Sequence, residues 1–421
     1  MADYTHVEPL APLDLPMPRT YITVLLVFQT AESTQAITQD LQRGLDKLSK
    51  QVPWLSGRVF PTTSTQNKAS LEIRSNAGDA PTLVDKGSIA ASYSTLASDR
   101  MPLEAIPSEV RPVSSMISSP LTEGDPVFAA SLFRFADQGA GLCVCIHHNA
   151  TDATGFSEIV RLWARNVAEP EFNLPSPLQG RLTRLSEALS PKLQEISSLS
   201  SENIFALHPE YSKLPPALPK EFAPCTSKMF SIPIHWINVL KEITRKYTSR
   251  SLTTNALIGE TSRLVTAVNG RRRISEKLSA PEDPYIGNAV LYSLAKFSAG
   301  DLAAVDEDPV SRQIAEVYHL IESLEDYKSL FVGWDLFGSR DLTITSWADL
   351  DLYAMDFGAT LGKPKFVKLS CVEADGVAII LPRQRSVSEE MLEVTVILRK
   401  DDMARLEDDS MWQTVVSSTG K

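Results

Sequence analysis

The sequence predicts a mixed α/β chain built as two domains, each a sheet with helices packed on it. Three observations carry that expectation. At 421 residues the chain exceeds the roughly 100–200 residues of an ordinary single domain. Leu142 to Ile146 is an unbroken apolar run that reads as a buried strand, and Phe156, Ile159, Val160, Trp163 and Val167 follow at helical spacing. A second strand-then-helix unit closes the chain, with Leu392 to Leu398 leading into Met403 and Leu406, so the halves are candidates for structural copies.

Tyr21 to Phe28 is almost continuously apolar, which fits a strand covered on both faces and hence a central one. Ile37, Leu41, Leu45 and Leu48 form one stripe on a helix that Pro53 ends. Val59 and Phe60 open another strand. Between about Ala77 and Glu123 the Ser, Pro and Ala residues show no single period, and no element is assigned there. Phe128 to Phe135 is a strand, and Asp137-Gln138-Gly139-Ala140-Gly141 is a hairpin turn into the histidine strand.

From Glu169 to Pro224 nine prolines are scattered among apolar residues, which reads as a long crossover packed over a surface. Lys228 to Ile234 is a strand, and Ile237, Leu240 and Ile243 begin a helix. Further helices are expected from about Thr253 to Val268, with Thr253 or Thr254 as its cap, and over Val310, Ile314, Val317, Ile321 and Leu324. Both are assigned to the second domain. The expected limits are 1–185 for the first domain, 186–225 for the linker and 226–421 for the second domain. A segment of about 346–372 is a candidate to return to the first domain's sheet.

A hydrophobic content of 43% with 22% charged residues is that of a folded globular chain. The net charge of −11 disfavours nucleic acid as a partner, and any anionic ligand must find a local basic patch. The longest strongly apolar run, Tyr21 to Phe28, is far shorter than the roughly 20 residues that span a bilayer, so no membrane span is expected. The start lacks the basic and then apolar regions of a signal peptide, and a cytoplasmic protein is expected. Cys143, Cys145, Cys225 and Cys371 show no zinc-ligand spacing. No metal is expected, and Cys143 and Cys145 read as small buried hydrophobes.

The chemistry is expected where the apolar run stops, at His147-His148-Asn149-Ala150-Thr151-Asp152. A strand-to-helix junction holds a side chain at the rim of a core, and imidazole exchanges a proton near neutrality. His148 and Asp152 form His-x-x-x-Asp. The carboxylate could orient the imidazole or cap the following helix, and the residues alone leave both readings open. Far downstream lie Thr345-Ser346-Trp347 and Asp356-Phe357-Gly358-Ala359-Thr360-Leu361-Gly362-Lys363-Pro364.

Together these two stretches resemble the BAHD-type acyltransferases, in the fungal branch that includes the trichothecene acetyltransferases. Pro53-Trp54-Leu55-Ser56-Gly57-Arg58, Asn269-Gly270-Arg271-Arg272-Arg273 and Tyr285-Ile286-Gly287-Asn288 match in the same order. The resemblance implies two chloramphenicol-acetyltransferase-like domains with the active-site channel between them. It implies transfer of an acyl group, acetyl first among them, from acyl-coenzyme A to a hydroxyl of a small secondary metabolite by a monomer. His148 is then the general base, chosen over His147 because only His148 has Asp at the fourth position, and His147 helps fix the turn. Asp152 is implied to be structural and paired with Arg271. Thr345 and Trp347 would border the reacting centre. Ser346, Gly358, Leu361, Gly362, Lys363 and Arg383 would lie along coenzyme A, Asp356 would hold its loop, and Asn288 and Asn255 would line the channel. Ala359 stands where the plant form usually has tryptophan, which argues against a direct catalytic role for that loop. Two rivals share the fold: a cyclase or pericyclase that has lost acyl transfer, and a condensation-type enzyme taking its acyl group from a carrier protein.

Overall fold

The computed structural model describes residues 4–63, 67–216, 218–247, 263–296, 309–334, 341–370, 374–385 and 390–416. Thr253, Thr254, Asn255 and Cys371 lie outside the described residues.

The first half is organised on a five-stranded sheet, in the order Phe366–Ser370, Tyr21–Phe28, Ala140–His147, Phe128–Arg134, Leu83–Ser88. The Tyr21–Phe28 strand is interior, and both of its faces are covered. Val24, Leu26 and Phe28 join Leu142, Val144 and Ile146 against the helices, while Tyr21, Leu25 and Val27 join Cys143 and Cys145 on the other side. Its near-continuous apolar character follows from that double burial. The outermost strand, Phe366–Ser370, comes from the far end of the chain and pairs antiparallel with Tyr21–Phe28.

Two helices cover one face. Thr34–Gln51 is capped by Ser33, whose side chain accepts from the Ala36 N–H, and it buries Ile37, Leu41, Leu45 and Leu48. Ala153–Ala168 buries Phe156, Ile159, Val160, Trp163 and Val167 against it. The helices approach closely at Gly44, where a Cβ would collide with Val167 and Trp163. The unassigned stretch holds the strand Leu83–Ser88, a short helix Tyr93–Ser98 and 3-10 turns.

The second half carries a six-stranded sheet, in the order Cys225–Pro233, Met391–Arg399, Val377–Ile380, Leu342–Ser346, Arg263–Asn269, Val290–Lys296. Helices Ile234–Tyr247 and Lys400–Asp408 close a separate core on it.

Three expectations need correction. Residues 263–268 are strand and not the end of a helix, because Val265, Thr266 and Val268 are β-branched and Leu264 to Thr266 pair in ladders on both sides. The expected linker is partly helical: Arg181–Glu195 runs straight across the limit at 185/186 and buries Leu185 and Leu189, and Ser201–Leu207 follows. Finally, Pro309–Ser323 buries Ile314, Val317, Tyr318 and Ile321 in the same core as those leucines, so this helix of the second half packs on the first.

Candidate active site

The histidine strand ends at His147, and a tight turn carries the chain to Asp152 at the start of the next helix. His147 is fully buried, edge-on to Tyr21 at 5.6 Å. Its Nδ1 accepts from the Asn149 N–H at 3.2 Å, which leaves Nε2 as the protonated nitrogen facing Asp125 at 3.4 Å. Burial alone would raise the Asp125 carboxyl, but donors from His147 and Arg19 outweigh it and hold the group at about 2. His147 is thus spent on fixing the turn.

His148 differs. Its ring is partly exposed, yet its Nδ1 is buried and meets no partner at hydrogen-bond geometry. That leaves Nε2 as the nitrogen able to meet a substrate. Burial pulls the imidazole below its ordinary value, against the opposing pull of its own and Thr151's carbonyls and of Asp152. A neutral imidazole at physiological pH is the form a general base requires.

Asp152 makes no hydrogen bond to His148. Its Oδ1 accepts from the N–H groups of Thr154 and Gly155, at 3.1 and 3.0 Å, and so caps the helix. Arg271 meets it bidentately, Nη2 to Oδ1 and Nη1 to Oδ2, both at 2.9 Å, and the Ala289 N–H adds a bond to Oδ2 at 2.9 Å. The remaining guanidinium donors reach the carbonyls of Tyr285 and Gly287 and the Asn269 side chain. Burial would raise the Asp152 carboxyl, but Arg271 outweighs it and holds the group below the usual carboxylate range. Of the two readings open in the sequence, the geometry selects the cap, together with the implied pairing to Arg271.

Arg271 is 1% exposed, so it is not a cation for coenzyme A phosphates. Asn288 is also fully buried. Its Nδ2 donates to Asp14 Oδ1 at 2.8 Å and to the His148 carbonyl at 3.0 Å, so it braces the turn and does not line a channel. Trp347 is buried against Phe156, ring centroids 5.7 Å apart, one turn into the capped helix. Thr345 shares its face of the strand by the two-residue alternation, whereas Ser346 shares the face of Ile344, in the second half's own core.

The Asp356 loop is not brought to this place. Gly358 packs against Ala168 at the far end of the helix that begins beside Asp152, about 24 Å away for 16 residues. Phe357 is buried between Phe28 and Trp163, and Thr360 bonds to Asp40. Gly358 and Gly362 sit at φ 76° and 66°, values that suit glycine, and Asp356 accepts from the Gly358 N–H. The loop therefore braces two helices, and Gly358, expected along the cofactor with Leu361, Gly362 and Lys363, lies at the opposite end of that helix from Asp152. Arg383 stays nearer, bonded to the Ala348 carbonyl, but Asp349 and Glu390 already neutralise it at 3.0 and 3.4 Å.

A cleft of about 1240 Å³ opens between the two sheets, walled by Arg100, Met229, Lys368, Leu381 and Trp412, with His148 absent from its lining. The sequence reading missed Asp14, Asn149, Arg181 and Asp125. Their only signal was polarity inside apolar surroundings, as in Leu10-Ala11-Pro12-Leu13-Asp14-Leu15. Among the described residues no group of His, Cys, Asp and Glu could hold a metal ion.

Comparison with known proteins places this geometry. Residues 20–166 match the trichothecene 3-O-acetyltransferase-like N-terminal domain, and residues 245–412 match the Transferase family. The chain is 25% identical to trichothecene 8-O-acetyltransferase of Fusarium sporotrichioides, over 95% of this chain and 96% of that one. It is 26% identical to the O-acetyltransferase ptmV of Penicillium ochrochloron, over 96% and 95%. Its fold is that of F. sporotrichioides TRI101, solved with coenzyme A and T-2, at a TM-score of 0.78 and 19% identity over 99% of this chain and all of that one. With both halves matched in order, residues 20–166 and 245–412, the chain belongs to the Transferase family of BAHD-type acyltransferases, in its trichothecene acetyltransferase-like branch.

Proposed function

We propose that this chain is an acyl-coenzyme A-dependent O-acyltransferase that moves an acetyl group to a hydroxyl of a small secondary metabolite. The observation that carries the proposal is the neutral, partly exposed His148, fixed at a junction that Asp152 and Arg271 lock across the two halves.

In this reading the acceptor hydroxyl gives its proton to His148 Nε2 as its oxygen attacks the thioester carbonyl. The tetrahedral oxyanion collapses, the carbon–sulfur bond breaks, and the imidazolium returns the proton to the departing thiolate. Atoms balance with no covalent enzyme intermediate and no metal. Thr345 and Trp347, on the face that looks toward the first half, are the donors assigned to the oxyanion. The acyl donor is coenzyme A-bound and the acceptor a small molecule.

Both halves of one chain build the junction, so we assign a monomer. We assign it to the cytoplasm, in keeping with the thiols of Cys143 and Cys145, both buried among the described residues. Among those residues no helix is long and apolar enough to cross a membrane. We place the domain divide after the helix Arg181–Glu195.

The test incubates the purified chain with acetyl-coenzyme A and a panel of trichothecene alcohols and other terpenoid alcohols. Free thiol and acetylated product are then measured. Stoichiometric thiol and ester that vanish in His148→Ala support the reading. A chain that neither binds coenzyme A nor releases thiol overturns it in favour of the pericyclase.

A further inference from the structure

Nothing with a side chain orients the His148 ring. Asp152 is spent on Arg271 and the helix cap, and Nδ1 has no partner at hydrogen-bond geometry. Beside the Thr151 carbonyl, the imidazole's direction is therefore set by where the main chain of His148 sits. That main chain is held at both ends: its N–H donates to the Thr20 carbonyl at 2.9 Å, and its carbonyl accepts from Asn288 Nδ2 at 3.0 Å.

Asn288 is in turn held by one group. Both its backbone N–H and its Nδ2 donate to Asp14 Oδ1, each at 2.8 Å. Its amide orientation is unambiguous, because both neighbours of Nδ2 are acceptors. Asp14 is fully buried on a 3-10 turn near the start of the chain, and its Oδ2 accepts from the Ala11 N–H at 2.8 Å and from Arg181 Nη1 at 3.3 Å. The same turn grips the next residue, since Asn149 Nδ2 donates to the Asp14 and Met17 carbonyls at 2.7 and 2.9 Å. Two residues of the catalytic turn thus hang on one segment about 130 positions upstream in the chain.

We infer that Asp14 is a positioning residue for the acyl transfer: through Asn288 it fixes the His148 main chain and so aims the imidazole, the task that the carboxylate of His-x-x-x-Asp does not perform here. The inference rests on His148 being the base, and its test separates the two.

Oδ1 carries the tether and Oδ2 the cap and the Arg181 contact, so two substitutions divide them. Asp14→Ala removes both. Asp14→Asn keeps an acceptor toward Asn288 but turns a donor toward Ala11 and Arg181, so it loses stability and keeps the tether. Asn288→Ala cuts the link while leaving Asp14 its other partners.

The experiment titrates the His148 ring by NMR in the full chain labelled at its six histidines, well below each variant's melting point. In Asp14→Ala and Asn288→Ala the ring, no longer held where burial depresses it, should titrate nearer the ordinary value of about 6.5 than in the parent. Asp14→Asn should titrate as the parent does despite a lower melting point. Coenzyme A release from acetyl-coenzyme A, with water as acceptor, should fall about tenfold to a hundredfold in the first two variants, with the Michaelis constant held within about twofold. Asp14→Asn should restore most of that rate. Titration curves that superimpose in all variants, or a rate that follows melting temperature through Asp14→Asn, would overturn the inference. Full thiol release by His148→Ala would instead overturn the base assignment.

Discussion

Replacing Arg271 by alanine tests the brace between the halves and gives a signature that ordinary destabilisation lacks. The guanidinium uses all five of its donors: two on Asp152 and one each on Tyr285 O, Gly287 O and the Asn269 side chain. Removing one partner of a buried pair costs about 3–5 kcal/mol, since the other charge is left without compensation. Asp152 would keep three backbone donors, from Thr154, Gly155 and Ala289, which places the expected loss toward the lower end of that range. The pH dependence should also reverse. In the parent Asp152 is held below the ordinary carboxylate value, so its contribution is present above about 3.9 and lost as pH falls through the folded value. Without Arg271, burial is the dominant influence and the folded value rises above the ordinary one. The variant then gains stability relative to the parent as pH falls from 8 toward 5. Urea unfolding of both proteins, followed by tryptophan fluorescence at each pH, reads the difference while shared titrations cancel. A deficit that does not change with pH would refute the assignment. So would strict additivity in the Asp152→Asn, Arg271→Ala double variant, because partners in one network couple.

Three further outcomes follow from the same geometry. His148→Ala should lower turnover by about 10²–10⁴-fold with an unchanged circular dichroism spectrum, and the parent's acid limb should fall below pH 6.5 because burial depresses the ring. An acid limb above 7 would show that another group is the base. Gly155→Ala should destabilise by about 1–3 kcal/mol, although alanine ordinarily favours a helix, because its Cβ would collide with Thr151 Oγ1 and the Ile286 carbonyl; a higher melting point would contradict this. His208 lies buried between Glu210 at 2.7 Å and Glu316 at 3.0 Å, the latter also bonded to Arg312. Burial opposes protonation, but the two carboxylates outweigh it and raise the ring's value. Its contribution is therefore complete below about 6.5 and lost as pH rises through the raised value, so the deficit of His208→Gln should be larger at pH 6 than at pH 9.

Much of the first half was legible because its elements are periodic and doubly buried. Tyr21–Phe28 and the stripes of the helices Thr34–Gln51 and Ala153–Ala168 follow from apolar spacing alone. The turn from His147 to Asp152 was legible as an interruption of that apolarity. What the residues could not reveal was partnership at long range. Asp152 meets Arg271 119 positions away, a pairing that only the family resemblance supplied, and Asp14 meets Asn288 274 positions away, where the resemblance marked Asn288 for another role and no motif marked Asp14. The Asp356 loop left its role open for the opposite reason. Its glycines do mark an unusual backbone, but positive φ serves a structural brace as well as a ligand cradle. The 263–268 strand was hidden because a ladder partner on each side, not its own spacing, decides its conformation.

The edge strand Phe366–Ser370 constrains how this protein can be born. Until the ribosome has added residue 370 of 421, the Tyr21–Phe28 strand has one row of N–H and C=O groups with no neighbour to take them. A nascent N-terminal half is therefore an open-edged apolar sheet, the kind of surface that captures other chains. Native completion needs residues 366–370, and truncation just before Phe366 should yield aggregate rather than a smaller soluble domain. Once seated, the strand also ties a late stretch of the chain to the first sheet by main-chain bonds.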